Sequence, residues 1–243
     1  MMMCRRYPMA GVANFRDLGG YACDGGVTRW NVFYRSTSLH KADDEDLRMI
    51  KRLGIEAVLD LRYPHEQKER PDRKIDGIRM KSISLMGPVK VEDLRVNDTV
   101  EDTKTLIRMY RQIIFQSQDA VREAVQFLIQ EEKPVLFHCA AGKDRTGVIA
   151  MLLLASAGVA DEDIIADYEM SHHLVRSFTD DCSGSHGSNM RKLLSLIKNR
   201  WGSAEGYLKD CDVSEEELGH LREKFIVPYH IGESEGMKSE QRF

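Results

Sequence analysis

Residues 134–157 constrain this chain more than any other stretch. Val135-Leu136-Phe137 is a short apolar run behind Pro134, with the length and composition of a strand buried on both faces. Thr146 to Ala157 is apolar nearly all round, so a helix there presents no face to water and must be enclosed. Between them lies a polar, glycine-bearing segment, His138–Gly147. A chain with a buried strand leading into a buried helix has to set other strands beside the first and other helices around the second. That is an α/β architecture. With 42% apolar residues over 243 positions, it has the material for such a core.

The flanking sequence supplies the other elements. Residues 11–31 are dominated by Gly, Asn and Asp and read as turns and short strands, with Arg16-Asp17 and Gly19-Gly20 in a structural turn. Val32-Phe33-Tyr34 reads as a strand ending at Arg35-Ser36, and Ile55 to Leu61 as a second buried strand ending in Asp60-Leu61-Arg62. Asp43 can cap a helix to Leu53, which Gly54 stops. Residues 63–73 are polar, carry two prolines and predict an exposed loop, and Ile78 to Leu85 a further strand. Helical spacing recurs at Tyr110, Ile113 and Ile114 and again at Val121, Val125 and Leu128; 161–175 and 190–201 are also helical. Residues 179–188 predict a loop, whose Ser183–Ser188 part is a candidate lid or simply exposed chain. Ser214 with Glu217 forms a capping box for a last helix to Val227. We expect one α/β domain over 8–230, with tails at 1–7 and 231–243.

Net charge is −4 with pI near 6.1, which excludes a protein held to nucleic acid by bulk positive charge. No apolar run approaches the ~20 residues that span a bilayer, and no apolar core follows Arg5-Arg6 as a Sec signal requires. Integral membrane association is therefore not expected. Cysteines at 4, 23, 139, 182 and 211 are odd in number and widely spaced, which suits a reducing cytoplasm rather than a disulfide framework or a zinc finger.

The chemistry lies in His138-Cys139-Ala140-Ala141-Gly142-Lys143-Asp144-Arg145-Thr146-Gly147. A tight loop between a strand and a helix N-terminus aims several backbone N–H groups at one point, an anion cradle. Cys139 opens the loop beneath a bound phosphorus. Arg145, six positions on, can curl back to grip two oxygens with its planar fork. The same field favours the Cys139 thiolate, and Thr146 can donate its hydroxyl to it. A lone cysteine after an apolar strand is ordinarily a small buried hydrophobe. Cys, Gly at +3, Arg at +6 and Thr at +7 in one strand–loop–helix join set that reading aside. A Walker A loop does not fit, because Asp follows Lys143 and the first glycine is missing.

The segment resembles the signature loop of Cys-dependent protein-tyrosine phosphatases, and is most similar to the microbial tyrosine and dual-specificity branch whose loop contains Gly-Lys-Asp-Arg-Thr-Gly. Asn14-Phe15-Arg16-Asp17-Leu18-Gly19-Gly20-Tyr21, Tyr34-Arg35-Ser36, Leu59-Asp60-Leu61-Arg62, Asp167-Tyr168 and Trp201-Gly202-Ser203 match the same branch. The resemblance runs over roughly residues 8–227. It implies a central four- or five-stranded, mostly parallel sheet flanked by helices, a phosphocysteine intermediate, and neither metal nor cofactor.

With the resemblance, Cys139 is the expected nucleophile and Arg145 the phosphate clamp, and Ala140, Ala141, Gly142, Lys143, Thr146 and Gly147 form the phosphate cradle. His138 either hydrogen-bonds the loop and helps set the thiolate or is a packed strand-end residue. Asp144 is favoured as general acid, since the resembled branch uses it and neighbouring negative charge promotes a protonated carboxyl. Asp60 is its rival, or else a support for the loop partnered by Arg62. Lys143 suits a polyanion such as a phosphoinositide headgroup, or offsets Asp144. The expected substrate is a phosphotyrosine protein or peptide, with a phospholipid headgroup as a second possibility. Two other functions compete: a phosphate-binding module without turnover, and a Cys-loop sulfur or arsenate transferase.

Overall fold

Side chains along three short, fully buried strands alternate between two faces and so divide the interior in two. The computed structural model describes residues 4–85, 100–175 and 186–229, with side chains from 106 onward in the second of these. Strands β1 (Arg16–Asp17), β4 (Phe33–Ser36), β7 (Val135–His138), β5 (Ala57–Asp60) and β6 (Arg79–Ser82) form a five-stranded sheet in that spatial order. β1 runs antiparallel to β4, and all other neighbours are parallel. Phe33, Ala57, Leu59, Val135 and Phe137 belong to the larger core; Tyr34, Val58 and Leu136, one position out of phase, belong to the smaller. Both faces of these three strands are therefore dry, as expected of parallel strands, while the edge strand β6 is mostly exposed.

The larger core is closed by α3 (Val100–Gln116), α4 (Gln118–Gln130), α5 (Asp144–Ser156), α6 (Asp161–Val175), α7 (Gly187–Trp201), α8 (Ala204–Asp210) and α9 (Glu215–Phe225). The smaller is closed by α1 (Asp44–Arg52), whose Ile50 packs there, and whose start is fixed by a capping box between Asp43 and Asp46. As its composition demands, α5 is enclosed, packed among α3, α6, α8 and the sheet.

Registers place Ser36, His138 and Asp60 level at the carboxyl ends of β4, β7 and β5. The loop after β7 thus emerges with a parallel neighbour on each side, the usual place for a ligand crevice in an open α/β sheet. No helix among the described residues is long and apolar enough to cross a membrane.

Several expectations need correction. Residues 63–73 are not all loop: Pro64–Glu69 form a short helix, α2, whose first turn is closed by Glu66 accepting from the Tyr63 N–H. Arg16-Asp17 is a strand rather than a turn. The last helix ends at Phe225, and Ile226–Pro228 (β8) pairs instead with β3 (Gly26–Thr28), which also pairs with β2 (Ala22–Cys23) in a second, antiparallel sheet. Ser188 lies on α7 rather than in a loop, while Ser183–Ser185 and residues 230–243 lie outside the described residues.

Leu153 sits on α5 with no exposure. Leu153→Ala should cost about 2–5 kcal/mol through lost burial and a cavity, read as a lowered urea midpoint. A shift under about 1 kcal/mol would show that α5 is not enclosed.

Candidate active site

The loop after β7 is tied down from behind through its carbonyls. Ala140 O accepts from Ser38 N at 3.1 Å, and Gly142 O from Asn14 Nδ2 at 2.9 Å and Arg35 NH2 at 2.9 Å. Ala141 O and Lys143 O lie at 3.3 Å from Asn14 Nδ2 and Arg35 NH2 respectively. In a trans peptide the N–H points opposite to the carbonyl before it. Tying these carbonyls outward therefore turns the following N–H groups to the other, concave side. Gly142 is required here: its φ is 64°, and a Cβ would lie 2.0 Å from Ser36 O.

The supports are themselves held by a buried charge cluster. Arg16 and Arg35 converge on Asp167 of α6, at 2.8 Å and 2.6 Å, with all three side chains at most 2% exposed. Tyr21 donates its hydroxyl to the same carboxylate, and Arg16 also bonds Asn14 O. Burial works against ionised Asp167, but the two guanidinium groups prevail and hold it well below the usual carboxylate range. Burial, then repulsion from Arg16, brings Arg35 down to about 10.

Cys139 stands at the start of this loop, 2% exposed. Burial pushes its thiol up. The Arg145 guanidinium, then the Thr146 hydroxyl and amide, outweigh that, so its pKa lies below the ordinary thiol value. The buried Thr146 hydroxyl makes no aligned hydrogen bond to a described residue, yet it lies close enough to stabilise the thiolate. Gly147 follows inside α5, where a Cβ would meet the Tyr168 ring at 3.1 Å. Its place is one of close packing against Tyr168.

Arg145 is oriented by Glu66 of α2, whose carboxylate takes NH1 at 2.5 Å and NH2 at 2.9 Å. The guanidinium lies 4.9 Å over the Tyr63 ring. This end-on pairing leaves the edge formed by Nε–H and the second NH2 hydrogen for a ligand. The Arg145 guanidinium in turn overcomes burial and lowers the Glu66 carboxyl.

Asp144 begins α5. Its Oδ1 accepts from Tyr110 at 2.8 Å; the Tyr168 hydroxyl lies 3.2 Å from the same oxygen and 2.5 Å from that of Tyr110, with one proton to give to either. Its Oδ2 lies 3.8 Å from Lys143 Nζ, and Lys143 is itself buried. The tyrosines thus fix one carboxyl oxygen and leave the other on the loop side.

Asp60 is placed differently. Both its oxygens accept from Arg62, which also reaches Asp72 at 2.7 Å. His138 is fully buried, with Nδ1 3.1 Å from Cys139 O and Nε2 3.2 Å from Asp72 Oδ2, the latter without hydrogen-bond alignment. Burial disfavours its charged form, but Asp72 outweighs that and raises the imidazole pKa. Asp60, Asp72 and His138 come close enough to resemble a metal donor set. The guanidinium of Arg62 already serves as the cation between the two carboxylates.

The site therefore brings together Cys139, Ala140–Thr146 and Asp144, with Asp60 behind them as part of the strand-end support. Sequence reasoning missed Glu66, Tyr110, Asp72 and the structural use of Asn14, Arg16, Arg35 and Asp167. For the last four, their place in the matching motifs was the available signal; Glu66 and Tyr110 carried none.

A thiol with a lowered pKa at the foot of a loop whose carbonyls are tied outward fits the Cys-dependent phosphatase class. Comparison with known proteins agrees. Residues 7–227 match the model of the tyrosine phosphatase family, and the chain belongs to that family. A tyrosine-protein phosphatase of Nostoc commune is 31% identical over 226 residues, covering 83% of this chain and 76% of the relative. The triple specificity protein phosphatase PtpB of Mycobacterium tuberculosis is 28% identical over 278 residues, covering 91% of this chain and 98% of that protein. Among solved structures, the core catalytic domain of the S. cerevisiae PP-IP phosphatase SIW14 aligns with a TM-score of 0.43 at 16% identity, covering 83% of this chain and 96% of that one. The chain is thus a hydrolase of the protein-tyrosine phosphatase type, a family whose chemistry does not depend on a metal.

Two outcomes test this architecture. Iodoacetamide should alkylate Cys139 with a pH midpoint below that of an ordinary thiol. Thr146→Val, by removing a group that favours the thiolate, should move that midpoint upward; mass spectrometry of the Cys139 peptide reads both, and an unmoved midpoint would exclude Thr146 from the thiolate's environment. Asp167→Ala should destabilise the fold by about 3–5 kcal/mol, because Arg16 and Arg35 would be left buried without a counter-charge. A change within about 0.5 kcal/mol in urea denaturation would show that the cluster is not a support.

Proposed function

We propose that the chain hydrolyses phosphotyrosine in proteins and peptides through a phosphocysteine intermediate. The reading is carried by one observation: Cys139, its pKa lowered by Arg145 and Thr146, sits at the foot of a loop whose carbonyls are tied away from the side an anion would occupy. In the first step Cys139 Sγ attacks phosphorus and the P–O bond to the tyrosyl oxygen breaks. Asp144 gives its proton to that oxygen, and tyrosine departs as the neutral phenol. Arg145 and the loop N–H groups hold the three phosphoryl oxygens as charge develops. In the second step water attacks phosphorus, Asp144 takes its proton, and the S–P bond breaks to release phosphate and the Cys139 thiolate, which Thr146 stabilises.

The geometry supports Asp144 over Asp60 as the acid. Asp144 has one oxygen anchored by Tyr110 and the other 3.8 Å from Lys143 Nζ of the loop, whereas both Asp60 oxygens are bound to Arg62. Lys143, buried and 3.8 Å from Asp144 Oδ2, supports the reading of a partner for Asp144. That placement does not favour a polyanionic headgroup over a phosphotyrosine peptide.

Rates on p-nitrophenyl phosphate and on a phosphotyrosine peptide test these roles. Cys139→Ser should abolish turnover of both while orthovanadate still binds; wild-type-like turnover would rule out the cysteine mechanism. Phosphotyrosine leaves as a phenol of pKa about 10 and needs a proton more than p-nitrophenol does. Asp144→Asn should therefore slow the peptide far more than p-nitrophenyl phosphate, and Asp60→Asn should slow both alike. The reverse pattern would transfer the acid role to Asp60. A phosphate-binding module would turn over neither substrate, and a sulfur or arsenate transferase would need a different acceptor. EDTA should leave the rate unchanged.

A further inference from the structure

α3 and α7 pack side by side, and a groove between them carries charge that the chemistry above does not use. It is a hollow of about 470 Å³, adjoined through Ile107 and Arg111 by a second of about 610 Å³ whose described lining comes from α3 alone. Three cationic side chains line the groove, Arg111 from α3 and Arg191 and Lys192 from α7, and Arg108 lines the adjoining hollow. Among the described residues, no acidic side chain lines either hollow. Arg191 lies 3.9 Å from the exposed Glu162. Arg111 lies over the ring of Phe115, which is 41% exposed. In a chain of net charge −4, this is a local reversal of sign.

The groove also adjoins the active site. Tyr110 lines one hollow, and its hydroxyl donates to Asp144 Oδ1 at 2.8 Å. One tyrosine side chain therefore separates the cationic groove from the catalytic loop.

We propose that this groove receives an acidic stretch of the phosphoprotein substrate flanking its phosphotyrosine. The proposal rests on the phosphotyrosine reading given above. Charge complementarity selects the occupant: these cations, with no carboxylate among the described lining residues, attract carboxylate side chains and repel basic ones. Shape selects a chain over a surface. Arg111, Arg191 and Lys192 stand in a hollow between two helices together with Ile107 and Leu196, which suits an extended peptide with acidic and apolar residues; a flat anionic bilayer meets a projecting face, not a recess.

The test uses two phosphotyrosine peptides that differ only in carrying Glu or Gln at the flanking positions, with kcat/KM expressed relative to p-nitrophenyl phosphate for each enzyme. The wild-type chain should prefer the acidic peptide by about tenfold at low salt, through KM, and the preference should shrink as salt screens exposed charges. Arg111→Glu with Lys192→Glu should abolish or invert it. Arg111→Gln with Lys192→Gln, milder at these exposed positions, should reduce it in the same direction. Equal rates on both peptides in the wild type, or a preference untouched in both double variants, would overturn the proposal. Binding to phosphatidylserine vesicles that the variants lose while keeping the peptide preference would assign the groove to a membrane and likewise overturn it. Failure to turn over either peptide, with p-nitrophenyl phosphate hydrolysed, would instead remove the phosphotyrosine reading on which the proposal stands.

Discussion

Two arginines share one carboxylate beneath the catalytic loop, and the loop's shape depends on that arrangement. Arg35 connects Asp167 to the carbonyls of Gly142 and Lys143, while Arg16 connects Asp167 to Asn14, which holds Ala141 and Gly142 from the other side. Peptide planarity converts each tethered carbonyl into an N–H turned the opposite way. Two buried cations against one anion also leave a surplus positive charge behind the loop. Buried charge is costly, which is why Arg35 is drawn down to about 10. A thiolate and a phosphate dianion on the far side of the loop would be attracted by that surplus charge.

The same device recurs at each reactive side chain: the charge on the loop is aimed by a partner from a distant segment. Glu66 holds the outer end of Arg145 and, through the Tyr63 N–H, closes the first turn of α2, so helix formation and guanidinium orientation are one event. Tyr110 and Tyr168, from α3 and α6, fix one oxygen of Asp144. Asp72 and Arg62 surround His138 at the strand end. Groups fixed before the substrate arrives need no reorganisation as charge develops, which is the source of most electrostatic catalysis. The groove between α3 and α7 extends this logic outward, since its inner wall is the tyrosine that positions Asp144.

Parts whose interactions are close along the chain can be read without knowledge of the fold. Continuous apolar runs mark β5 and β7 because parallel strands buried on both faces need them; the all-round apolar stretch marks α5 as the enclosed helix; Asp43 and Ser214 mark helix starts because a cap bonds three residues on. Cys139, Arg145 and Thr146 were legible for the same reason: an anion loop is contiguous, so its residue types and spacing are written in one segment. Tertiary structure alone decided the rest. α2 is short and polar and is secured by the grip of Glu66 on Arg145, 79 positions away. β8 leaves the helical pattern because it finds a partner in Gly26–Thr28, at the other end of the chain. Arg16-Asp17 resembled a turn until Asp167, 151 positions later, made Arg16 a buried support. Each of these gains its energy from a partner that only folding brings near, and no local pattern can record a contact with a residue so far along the chain.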